Sequence, residues 1–135
     1  MFMSGDQIVE ALSAAGEPTR LRILSLLACE ELSVMELSGI LQQSQPRVSR
    51  HLKVMTDSRL VDRFPDGARV FYRLSSEADA RRLIDTILAL LPDHEGAEDH
   101  RRLEAVRHER DAAAAAYFDR IAPQWDRVRS LHISE

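Results

Sequence analysis

Apolar residues recur at helical spacing early in the chain and predict three successive helices. The first carries the apolar residues Ile8, Ala11, Leu12 and Ala15. The second begins near Pro18, which suits a first helical turn because an N–H group there has no helical partner. Its apolar positions are Leu21, Ile23, Leu24, Leu26 and Leu27. The third follows Ser33, with Glu36 placed to complete a capping box, and runs to about Leu41.

A fourth predicted helix, over residues 44 to 55, has two chemically different sides. Val48, Leu52 and Met55 recur at i, i+4 and i+7, which is the spacing of a buried stripe. Ser44 is a good N-cap and Pro46 fits the first turn. The other directions carry the polar and basic residues Gln45, Arg47, Ser49, Arg50, His51 and Lys53. Together with the third helix and a short turn, this segment predicts a helix-turn-helix.

After Met55 the pattern changes to that of β-strands. Residues 60–64 and 69–74 are rich in β-branched and aromatic residues and flank the turn sequence Pro65-Asp66-Gly67-Ala68. A hairpin directly after a helix-turn-helix predicts the wing of a winged-helix domain. Arg63 and Arg69 bracket its tip, where they are placed to reach phosphates or a minor groove, with ordinary solvated charge as the alternative.

The rest of the chain predicts two more helical segments. The first, from about Glu77 to Leu91, has an apolar stripe made of Ala80, Leu83, Ile84, Ile87, Leu88 and Leu91. A small winged-helix unit already has its core, so this stripe predicts pairing with a second subunit. A charged, Ala-rich helix is expected from Glu98 to about Ile121, ended by Pro123. The predicted organisation is a DNA-binding and dimerisation domain at 1–91, a linker at 92–97 and a helical extension at 98–135.

Composition narrows the function classes. At 135 residues with 44% hydrophobic content, the chain fits one modest soluble domain, and no apolar run approaches the roughly 20 residues that cross a bilayer. The first residues lack the basic and apolar regions of an export signal, so we expect a cytoplasmic protein without a membrane partner. Cys29 is the only cysteine, which excludes a disulfide within the chain, and we expect it in the core at a helix end.

The net charge of −4 hides an uneven distribution. Between Glu17 and Arg73, nine Arg or Lys face seven Asp or Glu, a balance of +2, so the remaining residues carry −6. Within residues 44–59, four basic residues face Asp57 alone. Positive charge is therefore concentrated on the fourth helix, which favours nucleic acid as its partner.

The residue types on the fourth helix suit DNA recognition. Gln and Arg match the donors and acceptors of base edges, whereas Lys supplies charge that is independent of sequence. The predicted DNA contacts are Gln45, Pro46, Arg47, Ser49, Arg50, His51, Lys53, Arg63 and Arg69. On the second helix, Arg20 and Arg22 are expected to face outward, either toward the DNA backbone or as solubilising charge. The alternative for the fourth helix is an ordinary amphipathic surface helix.

Residues 11–75 resemble the ArsR family of bacterial winged-helix repressors. The matching runs are Glu17-Pro18-Thr19-Arg20-Leu21-Arg22-Ile23-Leu24, Leu32-Ser33-Val34-Met35-Glu36-Leu37, Ser44-Gln45, Val48-Ser49-Arg50-His51-Leu52-Lys53-Val54-Met55, Leu60-Val61 and Gly67-Ala68-Arg69-Val70-Phe71-Tyr72-Arg73-Leu74. The resemblance implies a mainly α fold with a β-hairpin wing, to which a C-terminal helical extension is added. It also implies a double-stranded DNA operator, and repression relieved by a signal that the sequence does not identify. It implies a homodimer through the first and last helices of the unit, with an interface made of Leu12, Leu83, Ile84, Ile87, Leu88 and Leu91.

Metal sensing is not expected. Where many metal-sensing relatives carry two cysteines on the third helix, this chain has Ser33 and Met35, which offer no thiolate. The other familiar site uses carboxylates and histidines on the dimer helix, which here has no histidine. The remaining metal candidate is His100, Glu104 and His108 at i, i+4 and i+8, for which ordinary surface positions are the favoured interpretation. We expect no metal, cofactor or catalytic residue.

The tail carries a second resemblance. Residues 117–122 and 125–132 are similar to the entry segment of the methyltransferase domain in proteins that fuse an ArsR-type regulator to a class I S-adenosylmethionine-dependent enzyme. The Gly-rich loop that would hold that cofactor is absent from these residues. The favoured interpretation is a homodimeric, sequence-specific transcriptional repressor that is not an enzyme. The alternatives are the regulatory part of such a fusion, or a protein-interaction module that uses the C-terminal helix.

Overall fold

The computed structural model describes residues 3–133, and it describes side chains for residues 3–123. In chain order, this part of the protein forms α1 (Gly5–Ala15), α2 (Pro18–Leu27), β1 (Leu32–Ser33), α3 (Val34–Leu41), α4 (Gln45–Asp57), β2 (Val61–Asp66), β3 (Arg69–Leu74), α5 (Ala78–Ala89) and α6 (Ala97–Ile133). The predicted fold class, mainly α with a hairpin wing and a C-terminal helix, is confirmed.

The first four helices each begin at a side chain that accepts a hydrogen bond from a backbone N–H of the first turn. These side chains are Ser4, Glu17, Ser33 and Ser44. The capping box predicted at Ser33 and Glu36 is confirmed, since each side chain accepts from the other residue's backbone N–H. Such caps are worth about 1 kcal/mol each, so they fix where the helices start.

The wing is an antiparallel hairpin that ends at a two-residue turn. Asp66 pairs with Arg69 across it, and Gly67 adopts a φ of 64°, a conformation that glycine reaches without steric cost. The sequence pattern did not predict β1, in which Leu32 pairs with Tyr72 of β3. The sheet therefore has the order β1-β3-β2, and β1 ties the start of α3 to the wing.

The core is built from every element of the winged unit. Its fully buried side chains include Ile23, Leu24, Leu26, Leu32, Leu37, Ile40, Val48, Leu52, Met55, Leu60 and Ile84. Ile84 requires a correction, because we predicted it at the dimer interface. It has no exposed surface in the single chain, so it has none to offer a partner, and it attaches α5 to the core instead.

Two compact units are present, Met1–Arg102 and Leu103–Glu135. The first turns of α6 belong to the first unit. The domain boundaries predicted from the sequence stay a prediction.

The expectation that Pro123 ends the last helix was wrong, because α6 continues through it. A proline inside a helix removes one backbone hydrogen bond, but the other bonds of the helix can persist. Within the described residues, no helix combines the length and apolar character that crossing a bilayer requires.

Candidate nucleic-acid interface

Helix α4 is held by one side and presents the other to solvent. Val48, Leu52 and Met55 are completely buried, as their spacing predicted. Each fully buried side chain of this size contributes about 1.5–3 kcal/mol, so the orientation of α4 about its own axis is strongly fixed. The other side carries the exposed residues Pro46, Arg47, Ser49, Arg50 and Lys53, and Gln45 is exposed at the first turn.

The turn before α4 is anchored to α2. Gln42 ends α3 in the left-handed conformation, with a φ of 58°. The Gln43 amide then donates to the Thr19 hydroxyl at 3.0 Å, and the Ser38 hydroxyl donates to the Gln43 carbonyl oxygen. These contacts set the angle at which α4 leaves the turn. Periodicity did not reveal Gln43, because its contact depends on a partner 24 residues away.

The exposed polar residues of α4 differ in how far they are engaged. The Ser44 hydroxyl accepts from the Arg47 backbone N–H at 3.4 Å. The Arg47 side chain takes no part in this cap and is exposed at the first turn of the helix. Lys53 lies 3.2 Å from Asp57 in an exposed pair. Such pairs are worth less than about 1 kcal/mol, so Lys53 can exchange Asp57 for a phosphate. The DNA contacts of these residues stay predictions.

His51 lies toward α2 rather than in open solvent. Its side chain is 15% exposed, its Nδ1 accepts from Arg20 Nη1 at 3.3 Å, and it lies 3.7 Å from the Glu17 carboxylate. Burial lowers the pKa of His51; Glu17 opposes this, while Arg20, Arg47 and Arg50 add to it. The geometry makes His51 a contact between α4 and α2, and its predicted DNA contact is untested.

Arg20 and Arg22 are held by structural partners, although both keep part of their surface exposed. The Arg20 Nε–H donates to the Ala14 carbonyl at 2.5 Å, which closes the turn between α1 and α2. Arg22 donates to both carboxylate oxygens of Asp99 at 2.8 Å, and this hydrogen bonding raises the pKa of Arg22. Both guanidinium groups therefore have structural partners. The sequence could not show this, because Asp99 lies 77 residues after Arg22.

The wing presents basic residues on a stiffened hairpin. Arg63 and Arg69 are both exposed, and Arg69 lies beside the turn as the sequence predicted. Arg63 lies three residue pairs further along the hairpin, opposite Tyr72. The Phe64 and Phe71 rings stack with centroids 6.0 Å apart, and the Arg73 guanidinium lies 4.6 Å from the Phe64 centroid. These contacts across neighbouring strands hold the hairpin in register.

The predicted dimer surface is partly open in the single chain. Leu12 is 47% exposed, and Leu83, Ile87, Leu88 and Leu91 are half-buried. A groove of about 320 Å³ between α1 and α5 includes Ile8 and Leu83 in its lining. These residues have apolar surface available for a partner, and their role at an interface stays a prediction.

Cys29 and His100 lie close together and belong to neither the predicted DNA contacts nor the predicted dimer surface. Cys29 is exposed, contrary to the expected core position, with its Sγ 3.5 Å from His100 Nε2 and 3.6 Å from the Ser25 carbonyl oxygen. The second imidazole nitrogen, Nδ1, lies 2.8 Å from the Gly96 carbonyl oxygen, so it carries the proton that this contact needs. Among residues 3–123, no group of three or more His, Cys, Asp or Glu side chains is placed to hold a metal ion.

Comparison with known proteins places the chain in a family. The model described as "Bacterial regulatory protein, arsR family" matches residues 17–63. The arsenical resistance operon repressor of Staphylococcus xylosus is 37% identical over 75 residues, which are 56% of this chain and 72% of the relative. The transcriptional activator HlyU of Vibrio cholerae is 43% identical over 76 residues, which are 56% of this chain and 70% of the relative.

A solved structure supports the same grouping. The homodimeric winged helix-turn-helix DNA-binding domain Mb0332 of Mycobacterium bovis aligns with a TM-score of 0.59 at 27% identity, and the alignment covers 68% of this chain and 84% of that one. The methyltransferase resemblance at residues 117–132 lies outside the family match and stays a prediction. The family resemblance seen in the sequence is confirmed: the chain belongs to the ArsR family of bacterial regulatory proteins.

Proposed function

We propose that this chain is a homodimeric, sequence-specific DNA-binding repressor of transcription that acts in the cytoplasm on a double-stranded operator. The observation that carries the proposal is the two-sided character of α4. Three fully buried side chains fix the helix, its opposite side presents Arg47, Ser49 and Arg50 to solvent, and Gln45 is exposed at its first turn. A fixed helix with base-reading side chains on one face is what a major groove accepts.

The wing and the relatives support the same function. Arg69 is exposed beside the turn of the hairpin and Arg63 is exposed on its first strand, so both can meet the phosphate backbone next to the groove. The relative from Staphylococcus xylosus is named a repressor and the one from Vibrio cholerae an activator, and the Mycobacterium structure is a homodimer. Repression is the favoured direction because the sequence resemblance is to repressors.

Selection of bound DNA from a random pool tests the proposal. We expect the full chain to enrich a palindromic sequence whose half-sites lie about one helical turn apart. Fluorescence anisotropy should then give an affinity for this DNA that is about 10³-fold or more above that for random DNA at the same salt concentration. Equal affinity for both DNAs would contradict a sequence-specific role. Placing the selected site over a reporter promoter then distinguishes repression from activation.

A further inference from the structure

A cavity of about 700 Å³ lies between α2, the loop after α5 and the start of α6. All of its lining residues belong to the first compact unit. Its volume falls in the range of small-molecule sites, which are typically apolar with a few polar groups. Leu21, Leu26 and Leu91 supply apolar lining, and Ser25 and Glu95 are among the polar residues.

The arginines that line the cavity already have acidic partners. Arg22 is held by Asp99 at 2.8 Å. Arg101 and Arg102 lie 2.7 and 3.6 Å from the Glu98 carboxylate. The pairs of Arg101 and Arg102 with Glu98 are exposed to solvent and weak, so they alone do not exclude an anion. The cavity lining, however, carries four carboxylates against three arginines, so its charge favours a cation over an anion.

Glu95 is the exception among the lining acids. Its carboxylate makes no hydrogen bond or ion pair with any residue in the described part of the chain. Glu95 is an exposed carboxylate that lines the same cavity as the three leucines. This combination suits an organic ammonium, because the charge pairs with the carboxylate while the hydrocarbon body covers apolar surface. We propose that this cavity binds a small organic ammonium with an apolar body, held by Glu95.

Glu17 connects the cavity to helix α4. It lines the cavity, accepts from the Arg20 backbone N–H at 2.9 Å, and lies 3.7 Å from His51 of α4. A bound cation that attracts the Glu17 carboxylate changes this contact, so a ligand here is placed to alter how α4 is held. This consequence rests on the proposed DNA-binding function, whereas occupation of the cavity does not.

Titration of the ¹⁵N-labelled, DNA-free full chain with cyclohexylammonium tests the site. Cyclohexanecarboxylate and cyclohexanol are matched probes, since they share the ring and differ in the polar group. We expect saturable amide shifts in residues 15–26 and 91–102, with a Kd of about 1 mM for so small a ligand. The two matched probes should bind at least about fivefold more weakly, which is the discrimination that one ion pair supplies.

Two variants locate the charge that holds the probe. Glu95→Gln keeps the shape of the side chain and should weaken cyclohexylammonium about fivefold. Glu77→Gln is the control, because Glu77 is an exposed carboxylate that does not line the cavity. No saturable shifts, equal binding of the carboxylate or alcohol probe, or the same loss in both variants would overturn the proposal. Because no DNA is present, these results are independent of the DNA-binding function.

Discussion

At the scale of single residues, Arg50 is the sharpest test of how α4 would read DNA. It is exposed on the side opposite the buried stripe. A bidentate contact to a base edge discriminates by about 1–3 kcal/mol, so Arg50→Ala should weaken binding to selected DNA by that amount and relax the preference at one base pair. Anisotropy titrations against selected and random DNA measure both effects. An unchanged affinity and preference would exclude the proposed orientation of the helix.

Lys53 provides the contrast, because its role is expected to be charge alone. Lys53→Ala should weaken binding to selected and random DNA by the same factor, since a phosphate contact carries no sequence information. The slope of log K against log salt should also become shallower by about one unit. A loss confined to selected DNA would instead give Lys53 a part in base recognition.

His51 of α4 should make the stability of the fold depend on pH. Burial lowers its folded-state pKa, so the unfolded chain binds the proton more readily than the folded one. The contribution of neutral His51 to the free energy of unfolding is therefore fully present above the unfolded pKa of about 6.5. It is lost as the pH falls from there toward the folded pKa. Urea denaturation should show wild type losing more stability than His51→Gln between about pH 7.5 and pH 5. Parallel pH profiles would contradict this prediction.

At the scale of elements, the start of α6 supports the helix-turn-helix. Arg22 and Arg102 donate to the Leu41 and Ile40 carbonyl oxygens at 3.3 Å, at the end of α3 where helix carbonyls lack partners. Asp99 lies between them, 2.8 Å from Arg22 and 4.0 Å from Arg102. The segment after α5 is therefore part of the framework that positions α3 and the turn before α4.

Removal of the Asp99 carboxylate should weaken this framework. Asp99 is buried, but Arg22 keeps access to solvent, so the loss should be smaller than for a fully buried pair. We expect Asp99→Ala to lower the free energy of unfolding by about 1–3 kcal/mol, measured by urea denaturation. The exposed Asp93 is the control, and Asp93→Ala should stay within about 0.5 kcal/mol of wild type. Equal stability of the two variants would show that the ion pair contributes nothing.

The sequence predicted those elements whose signals are local. The stripe of Val48, Leu52 and Met55, the cap at Ser33 and the turn at Gly67 each depend on residues within one helix or hairpin, and each is confirmed. Strand β1 was missed because two residues show no periodicity.

The errors in the expected site have a different cause. The partner of Arg22 was missed because Asp99 lies 77 residues further along the chain, and Cys29, expected in the core, is exposed beside His100. Ile84 was misassigned because an apolar stripe shows which residues are buried without showing whether the same chain or a partner covers them.

At the scale of the whole molecule, apolar surface on α1 and α5 favours a dimer. Ile8 and Leu12 of α1 are exposed, and Leu83, Ile87 and Leu88 of α5 are half-buried. Ile8 and Leu83 line one groove, and exposed apolar surface of this kind typically marks an interface. A two-fold axis through these helices would present two copies of α4 to successive turns of one palindromic site, so dimerisation and specific DNA binding should be lost together.

Ile87→Asp tests this coupling. A carboxylate placed in an apolar interface loses its water without gaining a partner, which costs several kcal/mol, so the variant should sediment as a monomer. Ala78→Asp is the matched control, because Ala78 is exposed on the opposite side of α5 and should leave the dimer intact. The monomer should keep weak half-site binding, since α4 and its supporting contacts lie within one chain. A dimeric Ile87→Asp variant would place the interface elsewhere, with the exposed Tyr117 and Phe118 of α6 as the next surface to mutate.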